Sequence, residues 1–74
     1  MKRYLLFAGD TYYPSGGAYD FVSSHDTIEE AMAVHDPSKY TYSGGWANIF
    51  DTHIESIVMN YSYGSWSKTD KYYD

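Results

Sequence analysis

Only two leucines, Leu5 and Leu6, stand in a chain of 74 residues that holds ten tyrosines. An interior drawn from this palette has to use Tyr, Phe, Trp, Ile and Val, which fit a pleated, half-buried surface better than a helix face. The chain is therefore expected to fold around strands. At this length, folding buries only about 60% of the surface that the unfolded chain exposes, so the core is thin. The chain has no cysteine, so neither a disulfide nor a thiolate-held metal can reinforce it, and a reducing compartment is implied. Self-association is the remaining source of support.

Apolar side chains occupy consecutive positions from Tyr4 to Ala8, the pattern of a central strand covered on both faces. Residues 9–17, with turn formers on either side of Tyr12-Tyr13, read as a loop. Ala18 to Ser23 then alternates as an antiparallel partner strand, with Tyr19 and Phe21 on one side. Asp26-Thr27-Ile28-Glu29 has the form of a capping box, with Asp26 as the cap. Ile28, Ala31, Met32 and His35 follow at helical spacing, which predicts a helix over about residues 27–35 that Pro37 stops.

Residues 36–45 read as a second loop with two more tyrosines. The alternation of Trp46 to Asp51 and of Glu55 to Tyr63 then predicts a hairpin, with Ile57, Met59, Tyr61 and Tyr63 on one face. Residues 64–74 read as a Tyr-rich, partly ordered tail after a single domain over residues 1–63. The order strand, strand, helix, strand, strand (β-β-α-β-β) predicts an α+β fold. It consists of a small antiparallel sheet of about four strands with one short helix packed on it.

The formal charge of −5 understates how acidic the body of the domain is. Four of the five basic residues lie near the termini, and between Tyr4 and Ser67 eight acids face Lys39 alone, a balance of about −7. Such a surface repels nucleic-acid and membrane phosphates and steers toward a protein partner with a basic surface. The apolar stretch Tyr4 to Ala8 is too short for a signal peptide or a membrane span, so a soluble cytoplasmic protein is expected.

Chemistry-bearing patterns are weak. His25-Asp26 and His35-Asp36 repeat a dipeptide known from metal-dependent phosphohydrolases, but Asp26 reads as a helix cap and Asp36 as the residue before Pro37. His25, His35 and His53 show no metal-ligand spacing. No serine lies in a nucleophile-elbow pattern, and Glu29 and Glu30, adjacent on a helix, point in different directions. Neither Gly16-Gly17 nor Gly44-Gly45 leads into a helix with a lysine to cradle phosphate. No catalytic residue, metal or cofactor is assigned.

The tyrosine loops remain. Tyr12, Tyr13, Tyr40 and Tyr42, flanked by Asp10, Asp20 and Asp36, form a candidate partner-binding set: aromatic anchors inside an acidic rim. The other reading of these tyrosines is that they fold over the thin core as lids.

KRYLLFAGDTYYPSGG, followed by DFV, DTIEEA and WANIFDT, resembles a family of small uncharacterised proteins of bacteriophages and bacterial genomes. The likeness spans residues 2 to about 58. The resemblance implies no activity, but a phage setting suggests an inhibitor that blocks a host or anti-phage defence protein, itself one that handles nucleic acid. The alternatives are a binder of a small nucleotide signal through tyrosine stacking, and a self-assembling domain whose edge strands pair between copies.

Overall fold

The apolar run after Arg3 forms strand β1, Tyr4–Gly9. The computed structural model, which describes residues 2–10, 17–40 and 44–72, gives β1 a partner on each side. A 3-10 turn over Gly17–Asp20 leads into β2, Phe21–His25. Helix α1, Ile28–Val34, follows, and then a second 3-10 turn over Pro37–Lys39. The chain closes the sheet with β3 (Trp46–Asp51), β4 (Ser56–Ser62) and β5 (Ser65–Lys68). Every pairing is antiparallel, and the strand order is β2-β1-β3-β4-β5.

The sheet thus has five strands, and the expected four-stranded β-β-α-β-β arrangement is incorrect. Alternation through Tyr61 and Tyr63 suggests a strand that runs on, but the chain reverses there. Tyr63 and Gly64 take φ of 51° and 85°. Two successive left-handed residues between the paired Ser62 and Ser65 make the two-residue hairpin whose twist matches that of the flanking strands. Residues 65–68 enter the sheet because Trp66 then lies opposite Tyr61 and packs against the core. The first hairpin also differs in detail, since Tyr19 belongs to the 3-10 turn and β2 begins at Phe21.

The two faces of the sheet have different fates. Leu6, Ile49 and Met59 stand in one row across β1, β3 and β4, beside the row of Ala8, Ala47 and Tyr61, and all six are buried. Helix α1 covers this face over β1, β2 and β3, inserting Ile28 and Ala31. The small side chains Ala8, Ala31 and Ala47 let the helix approach closely. Over β4 and β5 rings take the helix's place: His35, just past α1, meets Tyr61 edge-on at 4.5 Å and Trp66 at 5.8 Å, and stacks on Tyr40 at 5.6 Å. Aromatic side chains thus close a core that two leucines could not.

The helix start differs by one residue from the capping box. Thr27, not Asp26, is the N-cap, its hydroxyl accepting from the Glu30 amide at 3.1 Å. Asp26 is exposed and faces Lys2 at 3.5 Å. A β-bulge also resets the pairing of β3 with β4: Ile49 faces Met59 but Phe50 faces Ile57, which leaves Val58 as the extra residue. As a result Ile57 points to the face opposite Met59 and Tyr61, not to the same one. No helix among the described residues is long and apolar enough to cross a membrane.

Candidate functional site

Strand direction decides which connections lie together. β1 finishes where β2 and β3 begin, with Phe7 opposite Phe21 and Gly9 opposite Trp46. At that same end β4 finishes and β5 begins, joined by Tyr63-Gly64. The chain leaves this end after Asp10 and returns at Gly17, and it comes back to it again at Gly44 before entering β3. A Cβ placed on Gly44 would sit 2.7 Å from Pro37 Cβ, and one placed on Gly45 would lie 2.8 Å from Tyr40 Cβ and collide with the Gly9 carbonyl. The Asp36–Tyr40 segment is therefore held against the same end.

Of the seven residues expected to contact a partner, four fall within the described structure. Asp10 follows β1 and is half-buried. Asp20 ends the first 3-10 turn but is buried, which makes it part of the scaffold beneath that end. Asp36 is exposed, and its carboxylate caps the second 3-10 turn by accepting from the Ser38 amide at 3.0 Å and the Ser38 hydroxyl at 2.7 Å. Those bonds hold its pKa below the usual carboxylate value. Tyr40 is a half-buried lid stacked on His35. Tyr12, Tyr13 and Tyr42 lie outside the described residues. The four described members, Asp10, Asp20, Asp36 and Tyr40, lie toward this end of the sheet, and Tyr40 takes the lid role.

Among the described residues, the tyrosines that are displayed are two others. Tyr63 is 92% exposed at the β4–β5 tip and Tyr19 is 88% exposed on the first 3-10 turn. Tyr63 is notable because φ of 51° is uncommon for a bulky residue, and Asn fills the first central position of this kind of turn more readily. Neither burial nor backbone preference explains a tyrosine there. A hairpin signal was present in the sequence, since Gly64 follows Tyr63 between serines, but the alternation of the preceding tyrosines hid it.

The open face of the sheet borders this end. Phe7, Trp46, Asn48, Phe50 and Ile57, with Gly17 and Asp20 at the rim, line a shallow groove of about 440 Å³. Phe21 lies beside it, edge-on to Phe7 at 5.7 Å. The histidines do not converge: His35 sits against Tyr61 and Trp66, whereas His25 faces Tyr4 at the far end of β1 and His53 follows Asp51 in the turn there. Among the described residues no three His, Asp or Glu side chains come together to hold a metal ion.

Residues 4–61 match the family model described as bacteriophage T4 protein Y07C. An uncharacterised 16.0 kDa protein encoded in the segB-ipI intergenic region of Enterobacteria phage T4 is 33% identical over 61 residues, which cover 76% of this chain. The matched stretch spans 45% of that relative's length. No solved structure matches the chain.

Proposed function

The chain belongs to the bacteriophage T4 protein Y07C family, and from that premise we propose a non-enzymatic protein-binding module that blocks a host or anti-phage defence protein. The observation that carries this reading is the display of Tyr19 and Tyr63 at one end of the sheet, with Tyr63 held exposed in a left-handed conformation. Tyrosine supplies rigid contact area with a polar tip at little entropic cost, which is why it anchors many binding surfaces. Loops raised from one end of a stiff sheet are a common way to present such anchors. The net charge of −5 favours a target whose contact surface is basic, and would speed the encounter.

Affinity capture from bacterial lysate, followed by titration of the purified target, tests the reading. A Tyr19→Ala/Tyr63→Ala double variant is expected to weaken binding by about a hundredfold, the loss of two anchor residues. Added salt is expected to weaken it further. A target that binds the double variant as tightly as the parent chain would remove the loop end from the contact.

A further inference from the structure

We infer that the open face of the sheet is an interface between two copies of this chain. The inference rests on strand side chains on the face opposite α1, which adjoins the loop end but does not include Tyr19 or Tyr63, the anchors of the target-binding reading. By register, that face displays Leu5, Phe7, Phe21, Trp46, Phe50 and Ile57 across β2, β1, β3 and β4, and only serine and asparagine toward β5. No strand position on it is charged, in a chain of which 20% of residues are charged. The strand residues Asp51 and Lys68 fall on the helix side, with Tyr4 and Met59.

This distribution of charge selects the occupant. A basic partner would meet no carboxylate on the strands and would have to desolvate its cations against phenyl rings. The complement of a neutral aromatic face is another neutral apolar face, and a second copy supplies one. Two chains of charge −5 would repel if acid met acid, but the acidic side chains of α1 point away from this contact. Beyond a Debye length of about 8 Å their repulsion is screened.

Shape agrees with charge. The groove of about 440 Å³ and the projecting Phe21, 38% exposed beside it, are a hollow and a knob on one surface, as a two-fold interface requires. The face measures roughly 20 by 20 Å from strand spacing and rise, and face-to-face packing of sheets joins apolar inner faces in this way. Pairing through strand edges is disfavoured: β2 is disrupted by a bulge at Val22, and β5 is four residues long and carries Lys68.

Sedimentation equilibrium on the intact chain, up to roughly 100 µM, where a micromolar self-association is saturated, is expected to give twice the 8.5 kDa chain mass. Phe50→Glu, which places a charge at the centre of both halves, is expected to give a folded monomer by circular dichroism and sedimentation. A parent chain that stays monomeric, or a folded Phe50→Glu variant that stays dimeric, overturns the inference. Should Phe50→Glu fail to fold, a mixture of isotopically labelled and unlabelled parent chains decides. Intermolecular NOEs among the rings of Phe7, Trp46 and Phe50 support the interface, and a dimer whose intermolecular NOEs lie elsewhere refutes it.

Discussion

Where β1 begins, the side chain of Arg3 grips Asp51 through two hydrogen bonds of 2.8 and 2.9 Å. Asp51 accepts the His53 amide at 2.9 Å, and Thr52 bonds the Arg3 carbonyl through both its amide and its hydroxyl, each at 2.9 Å. That end has one described residue at positive φ, Glu55, whereas where β1 finishes the chain passes through Gly17, Gly44, Gly45, Tyr63 and Gly64, all at positive φ, and displays Tyr19 and Tyr63 to solvent. One end is fastened by polar contacts between distant segments, and the other is shaped by backbone conformations that leave side chains available. A thin-cored domain can hold unusual loops at one end because the opposite end fixes the strands.

The contrast can be tested by substitution. The largest effect is expected at the one point where the displayed end is tightly built: Gly45→Ala sets a Cβ against the Gly9 carbonyl at φ +71° and is expected to lower stability by about 3 kcal/mol in urea denaturation. At the fastened end, Asp51→Ala strands the His53 amide and the buried side of Arg3, and is expected to lose about 2 kcal/mol by the same measurement. The Arg3 bonds hold the Asp51 carboxyl below 3.8, its ordinary value. The stability it contributes is therefore present above that pH and is lost as pH falls through the lower folded value. In Asp51→Ala that acid-side loss should be smaller than in the parent chain.

Between the two ends, His35 is 9% exposed, and among the described residues neither ring nitrogen makes a hydrogen bond of good geometry. Burial lowers its pKa from 6.5, with a weak backbone contact to Gly44 and the charge of Asp36 offsetting only part. As pH falls below 6.5 the unfolded chain gains a proton that the folded chain resists, so stability declines. Tyr40, Tyr61 and Trp66 face the ring, and among the described residues near it only Asp36 is anionic. His35→Phe is expected to add about 1 kcal/mol at pH 7 by removing two buried polar atoms that lack a good hydrogen bond, and to flatten the thermal-stability profile between pH 7 and 5. The smallest change sharpens the contrast most: Tyr63→Asn suits the left-handed turn and is expected to stabilise the chain by about 0.5 kcal/mol while weakening target binding. A variant that loses both would show Tyr63 to be structural.

Much of the architecture was legible because local pattern and tertiary environment agreed. Trp46 to Asp51 alternates cleanly and forms β3 over those same residues. The spacing of Ile28, Ala31 and Met32 gives the helix and its buried side. The cap was misplaced by one residue because Asp26 and Thr27 both suit the role, and only the helix's exit from β2 decides between them. The fifth strand was hidden because Tyr63 continues an alternating pattern while its backbone turns. The bulge at Val58 has no local signature: nothing in Ile57-Val58-Met59 says which of the three is the extra one. Of the candidate site, the sequence marked turn-rich segments by their aspartates, glycines and tyrosines, but neither their meeting at one end of the sheet nor the exposure of each tyrosine was legible. Tyr40 is drawn onto His35 by a thin core, whereas Tyr63 has nothing to pack on.

The gathering of connections at one end also bears on how such a chain can diverge. Strand register is set by the rows containing Leu6, Ile49 and Met59, none of which belongs to the segments between Asp10 and Gly17 or between Tyr40 and Gly44. Insertions in those segments would leave the register untouched. Doubling a loop costs only about 0.6 kcal/mol in closure entropy. A chain of this fold could therefore lengthen or rewrite those segments while the sheet beneath keeps its register.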